Sequence, residues 1–169
     1  MQKPKVNIHG SIIGLLSFEL DAFRDKRGQN FEIFDYRSPH ALYNFKLDSC
    51  SRSTYGVLRG FHGDNQNYKL IQCLHGEIQL CLIDQRPKTS TYGNVKEFIL
   101  NAERPTQVLI PAGVVNAHLC LSADCIFYYK WSDGYVEPKD QLHVKWNDER
   151  FKDKVKWRIT DPLLSDRDK

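Results

Sequence analysis

The apolar positions of this chain come in short bursts, and most bursts alternate with polar residues. A period of two puts alternate side chains on opposite faces of an extended strand. Over residues 8–23 the pattern predicts a strand, a turn at Gly14 and a second strand. Arg24-Asp25-Lys26-Arg27-Gly28 reads as a polar turn, with Gly28 free to take a positive φ. Residues 31–34 read as a short strand. Ser38-Pro39-His40 combines a capping residue with a Pro suited to a first helical position, which predicts one short helix through Tyr43. The alternation is plainest in Leu70-Ile71-Gln72-Cys73-Leu74 and in Glu77-Ile78-Gln79-Leu80-Cys81-Leu82-Ile83. His75-Gly76 lies between these runs, so they read as a hairpin. A polar loop follows over 84–92. Strands are expected over 96–100 and 107–110, then, after a Pro111-Ala112-Gly113 turn, over 118–121 and 125–130 as the next pair. Residues 146–169 read as loops with at most one helical turn, packed over the strands. Short strands at roughly ten-residue spacing predict an all-β sandwich or barrel.

Composition narrows the class. At 169 residues the chain suits one domain, 1–169, with a sizeable core. Its 24 basic and 21 acidic residues are interspersed, so local anion sites are expected rather than a nucleic-acid-binding face. There is no apolar run of about 18 residues, so no membrane-spanning helix is expected. Residues 1–10 lack the apolar core of a signal peptide. The five cysteines have no CxxC spacing and read as reduced, mostly buried thiols of a cytoplasmic protein rather than zinc ligands.

The candidate chemistry sits in Gly56-Val57-Leu58-Arg59-Gly60-Phe61-His62 and the nearby Tyr68-Lys69-Leu70. Arg59 offers a planar, permanently charged fork suited to phosphate. His62 is the side chain whose proton moves most easily near neutral pH. Lys69 can stabilise a developing oxyanion. The competing reading is that strand ends carry basic residues that simply stay in water.

The ordered set of motifs extends beyond this stretch. Ser51-Arg52-Ser53, Gly76-Glu77, Pro111-Ala112-Gly113, Ala117-His118, Tyr129-Lys130, Trp146-Asn147-Asp148 and Leu164-Ser165-Asp166-Arg167-Asp168 follow in sequence around it. The whole resembles the nucleotide-sugar 3,5-epimerase family. That resemblance implies a cupin-type jelly-roll β-sandwich with a few short helical turns, without metal or redox cofactor, usually a homodimer. It implies an NDP-4-keto-6-deoxy-sugar substrate, inverted at C3, C5 or both. The C4 ketone acidifies the C3 and C5 hydrogens. A base removes one, the enolate charge rests on the C4 oxygen, and an acid on the opposite face returns a proton.

By the same resemblance His62 is the base, Asp168 the carboxylate that supports it, and Tyr129 the acid. Lys69 faces the C4 oxygen, and His118 is a second pocket histidine. Arg59 contacts the diphosphate, as does Arg24 from a partner subunit. Tyr135 is a second pocket tyrosine, and Ser51 and Ser53 are small polar residues near the pocket. Tyr128 precedes Tyr129, and alternation sends only one of them inward. Asp168 is penultimate, so it meets His62 only if the tail folds back.

Two stretches depart from the family pattern. His62 is followed by Gly63-Asp64 and a short loop to Lys69, and Gln29-Asn30-Phe31 replaces a bulkier aromatic segment. The His-Gly-Asp version resembles members acting on GDP-linked 6-deoxy-4-keto-heptoses in bacterial capsule pathways. Three further readings compete. One is a 3,4-ketoisomerase on the same scaffold. Another is a metal cupin using His62, His75, Glu77 and His118. The third is a non-catalytic nucleotide-sugar binding module.

Overall fold

The alternating runs fold into two sheets stacked face to face. The structure, a computed structural model, describes residues 3–169. Its strands are β1 (Lys5–Ile8), β2 (Leu16–Glu19), β3 (Ala22–Asp25), β4 (Gly28–Phe31), β5 (Leu47–Thr54), β6 (Leu58–Gly63), β7 (Lys69–His75), β8 (Glu77–Asp84), β9 (Val95–Asn101), β10 (Thr106–Ile110), β11 (Val114–Cys120), β12 (Asp124–Trp131) and β13 (Leu142–His143). One sheet has the order β1-β2-β10-β7-β12-β5, the other β13-β6-β11-β8-β9, and β3 and β4 form a two-stranded sheet. Strands β5 to β12 form a jelly roll, in which the order 10-7-12-5 faces 6-11-8-9. The all-β, jelly-roll expectation holds. No helix of the described residues is long and apolar enough to cross a membrane.

The expected hairpin at Gly76 does not form. β7 belongs to one sheet and β8 to the other, so Gly76 is a corner between layers. Its φ is +73°, and a Cβ there would stand 2.2 Å from the Asp124 carbonyl oxygen. The strands over 118–121 and 125–130 are likewise not hydrogen-bonded to each other. β11 pairs with β6 and β8, whereas β12 pairs with β5 and β7. A tight turn serves a hairpin and a corner equally well. What decides between them is burial on both faces: β7 and β8 are buried along nearly their whole length, so each needs cover on two sides.

That cover comes from three layers. Between the sheets, Ile71, Val108 and Phe127 pack against Ile78, Leu80 and Leu82. Each such side chain contributes roughly 1.5–3 kcal/mol when fully buried. Outside the six-stranded sheet, Tyr43 and Phe45 cover Leu70 and Leu109. Outside the five-stranded sheet, the carboxyl-terminal segment lays Phe151, Val155 and Trp157 over Phe61, Val115 and Ala117.

The helical expectation at Pro39 holds as a 3₁₀ turn, Pro39–Tyr43, closed by Asn44 at φ 46°. A second such turn, Pro138–Asp140, precedes β13. The strand expected over 31–34 falls earlier, at Gly28–Phe31, and Arg24 and Asp25 belong to β3 rather than to the turn. The Asp25 carboxylate accepts the Arg27 amide at 2.8 Å, which closes the turn in two residues and draws the pairing toward it. The Ile33 carbonyl then accepts the Gln107 side-chain amide at 2.6 Å instead of a strand partner. All five cysteines are free, and four of them are buried.

Candidate active site

The site begins with a glycine in β6. His62 lies opposite Asn116, and Arg59 lies opposite His118. Three steps along β6 therefore match two along β11, which is a β-bulge. Gly60 absorbs it, with φ +120°, and a Cβ there would fall 2.5 Å from the Asn116 carbonyl oxygen and 2.6 Å from the Ala117 Cα. The bulge shifts the alternation by one. Arg59 and His62, an odd number of residues apart, face one cavity of about 380 Å³. Phe61 points the other way, into the cluster with Val115 and Trp157. The cavity lies between the sheets, with Ile71 and Phe127 of the central core as part of its lining.

β12 settles which tyrosine faces inward. Phe127, Tyr129 and Trp131 line the cavity. Tyr128 and Lys130 face out, where the Lys130 ammonium donates to Asp48 at 2.5 Å and to the Tyr128 hydroxyl at 3.4 Å. Burial raises the Tyr129 pKa further above the ordinary phenol range, despite the opposing pull of Arg59.

Lys69 opens β7 and is almost fully buried. Its ammonium lies 4.7 Å above the Trp131 ring and 3.9 Å from Asp64 Oδ2. Burial lowers its pKa to about 8, against the opposing influence of Asp64. Asp64 belongs to the rebuilt loop after His62. Its Oδ1 accepts the Gln66 and Asn67 amides at 2.9 and 2.6 Å. Asn67 in turn accepts the Asp133 and Gly134 amides and donates to the Gly134 carbonyl. The departure Gly63-Asp64 thus supplies Lys69 with a counter-charge and ties down the segment leading to Tyr135.

His118 stacks on Phe127 at 4.0 Å between ring centres. Burial, with Arg59 and His62 adding to it, pushes its pKa down to about 3, so it is neutral. Ser51 lines the cavity, but Ser53 does not. The Ser53 hydroxyl instead accepts the Arg59 Nε at 3.0 Å, so it orients that guanidinium. Tyr135 lines the mouth. Arg24 stays outside its own chain's cavity, on β3 beside Glu103.

The tail does fold back. Gln79, wholly buried, donates to the Lys156 carbonyl at 2.8 Å and accepts the Arg158 amide at 2.9 Å. Leu163 then bridges Val57 in parallel, exchanging hydrogen bonds with Gly56 and Leu58. This brings Asp168 Oδ1 to 2.8 Å from His62 Nε2. Asp168 Oδ2 accepts the Ser165 hydroxyl at 2.9 Å. Burial opposes the Asp168 charge, but His62, Ser165 and Arg167 together hold its carboxyl below the usual range.

Sequence reasoning missed Asn116, Trp131, Gln141, Ser165 and Arg167, which also line the cavity. Asn116 and Trp131 were within reach, since each lies two residues from a chosen one on the same strand face. Ser165 and Arg167 lie inside the quoted tail motif. Gln141 has no sequence signal; it accepts Arg167 Nη2 at 2.8 Å. The metal-cupin set does not converge. His75 is exposed and bonded to Asp124, Glu77 accepts Asn101, and neither reaches the cavity that holds His62 and His118. The strand order explains this, because β7 ends and β8 begins at the opposite end of the sandwich from Lys69.

The sequence model of the dTDP-4-dehydrorhamnose 3,5-epimerase family matches residues 9–169. The dTDP-4-dehydrorhamnose 3,5-epimerase of Escherichia coli (strain K12) is 34% identical over 164 residues, covering 93% of this chain and 87% of that one. The crystal structure of dTDP-4-dehydrorhamnose 3,5-epimerase from Bacillus anthracis with TDP and PPi bound superposes with a TM-score of 0.89 at 29% identity, covering 98% of this chain and 96% of that one. The structure of dTDP-6-deoxy-D-glucose-3,5-epimerase from Legionella pneumophila in complex with dTDP-4-keto-L-rhamnose gives 0.87 at 31% identity, covering 97% and 90%. With the match running from residue 9 to the last residue, the chain belongs to the dTDP-4-dehydrorhamnose 3,5-epimerase family of isomerases.

Proposed function

We propose that this chain inverts C3, C5 or both of a nucleoside-diphosphate-linked 4-keto-6-deoxy sugar, through an enolate. The observation that carries the reading is that a carboxylate-backed histidine and a tyrosine face one cavity from opposite sheets. His62, backed by Asp168, comes from the five-stranded sheet, and Tyr129 comes from the six-stranded one. Inversion needs that arrangement, because the proton leaves one face of the carbon and returns to the other.

The roles follow from the environments. Asp168 occupies His62 Nε2, which leaves Nδ1 to take the C3 or C5 proton. Lys69 and neutral His118 donate to the C4 oxygen as charge develops there. Tyr129, a phenol whose proton burial holds more firmly still, returns the proton. Arg59 and Arg167, both exposed at the mouth, take the diphosphate. Arg24 of the partner subunit adds to this contact in a homodimer.

The finer form of the proposal is a GDP-linked 6-deoxy-4-keto-heptose, and it rests on the Gly63-Asp64 loop beside Lys69 and Tyr135. Incubation in D₂O with 4-keto-6-deoxy hexoses and heptoses on dTDP, GDP and CDP tests both levels by mass spectrometry and NMR. Two deuteriums taken up mark a double epimerase, and one marks a single-centre enzyme. Exchange only on dTDP-hexoses overturns the heptose form. Migration of the carbonyl to C3 would instead mark a ketoisomerase, and no exchange on any member would overturn the function.

A further inference from the structure

His62 and Asp168 have a second neighbour that lies outside the substrate cavity. His143 sits on β13, directly across from His62 in the strand pairing. The two rings are 5.4 Å apart and tilted by 31°. His143 is exposed and does not line the cavity. Among the described residues, one ligand atom from each of His62, His143 and Asp168 lies within 4.8 Å of the other two. His62 Nε2 and Asp168 Oδ1 are buried, and neither has a hydrogen-bond partner outside their mutual 2.8 Å contact.

Two imidazoles and a carboxylate are a ligand set for first-row divalent ions, with the remaining position left to water. Metal–ligand bonds of about 2.0–2.2 Å put tetrahedral ligand atoms roughly 3.4 Å apart. His62 and Asp168 are already near that separation. His143, on a two-residue edge strand, needs only to swing inward by about an ångström.

We propose that His62, His143 and Asp168 form an inhibitory site for a divalent transition-metal cation, Zn²⁺ in the first instance. A cation on His62 Nε2 leaves the neutral ring with its proton on Nδ1. That nitrogen then has no lone pair for the sugar's hydrogen, and Asp168 is withdrawn from its support. The inhibition rests on His62 acting as the base proposed above; the cation binding does not.

The test uses metal-free protein, Co²⁺ as a spectroscopic probe, Zn²⁺ calorimetry and the D₂O exchange assay. Wild type should bind one Co²⁺ with a tetrahedral visible spectrum. Zn²⁺ at ten times its dissociation constant should cut exchange roughly tenfold, and a chelator should restore it. His143→Ala should exchange normally without metal, bind Zn²⁺ about a hundredfold more weakly and keep roughly nine tenths of its exchange at that concentration. His75→Ala, at a surface histidine, should bind and respond as wild type does. Absence of Co²⁺ or Zn²⁺ binding by wild type, or undiminished binding by His143→Ala, would overturn the site. Binding at His143 with full exchange would overturn its inhibitory role. Failure of the proposed function reads differently, as no exchange in metal-free protein while the Co²⁺ spectrum and its dependence on His143 persist.

Discussion

Arg59 and His62 are three residues apart on one strand yet face the same cavity, because Gly60 absorbs a bulge between them. A regular strand would turn one of the two outward. Gly60→Ala places a Cβ 2.5 Å from the Asn116 carbonyl oxygen and at a positive φ. The expected cost is roughly 3 kcal/mol from overpacking and backbone strain. Thermal unfolding should show a melting temperature lower by about 10 °C. Deuterium exchange should fall at least a hundredfold. A variant with unchanged melting temperature and activity would refute this account of the bulge.

In its proposed role Lys69 stabilises the enolate only when charged, and burial works against that charge. Activity should therefore fall as pH rises through about 8, where the ammonium loses its proton. Asp64 opposes the loss, so Asp64→Asn should move this alkaline limb of kcat/KM to lower pH. The asparagine keeps one oxygen for the loop amides, so the fold should hold. A limb that stays in place, or moves upward, would exclude the proposed influence of Asp64.

Removing the Lys69 ammonium tests its role at the C4 oxygen. Both enolates place charge on that oxygen, so Lys69→Ala should slow exchange at C3 and C5 alike. The expected loss is about 10²–10³, the scale of one oxyanion donor. Site-resolved deuterium uptake by NMR separates the centres, and loss at one centre alone contradicts the role.

The inward tyrosine is predicted to matter and its neighbour is not. Tyr129→Phe should impair return of the proton while leaving abstraction partly intact. Tyr128→Phe, on the outward face with Lys130 and Asp48, should stay within about twofold of wild type. Comparing solvent-deuterium uptake with product formation distinguishes the two steps. The reverse ranking would mean that the assigned acid is wrong.

Asp168 reaches His62 only through the folded-back tail. Asp168→Ala should lower exchange by about 10²–10⁴, the range for loss of a group that supports a general base. Gln79 and the Leu163 bridge hold the tail upstream, so the melting temperature should change little. Large destabilisation would show instead that Asp168 serves the fold.

Local pattern made several strands legible, although β5 and β13 were not expected and β11 begins at Val114 rather than at His118. Alternation around 70–74 and 77–83 reflects the pleat itself, which any extended segment obeys, and the strands lie where it placed them. The 3₁₀ turn at Pro39 was legible for a similar reason, since a capping serine and a proline act within a few residues. Most of the residues that share the cavity could be picked out from motif order, because each lies within a short local motif.

Partnership was another matter. Whether Gly76 makes a hairpin or a corner depends on what covers the far faces of β7 and β8. That cover comes from residues 43–45 and 151–157, distant in sequence. The shared facing of Arg59 and His62 depends on how closely β6 approaches β11 at Gly60, and the meeting of Asp168 with His62 depends on Gln79 pinning the tail. By itself the sequence determined most of the central strands, their punctuation and the chemical groups on offer. Only the tertiary structure decided which strands pair and which groups meet, because burial of both sheet faces is a property of the whole packed chain and not of any local run.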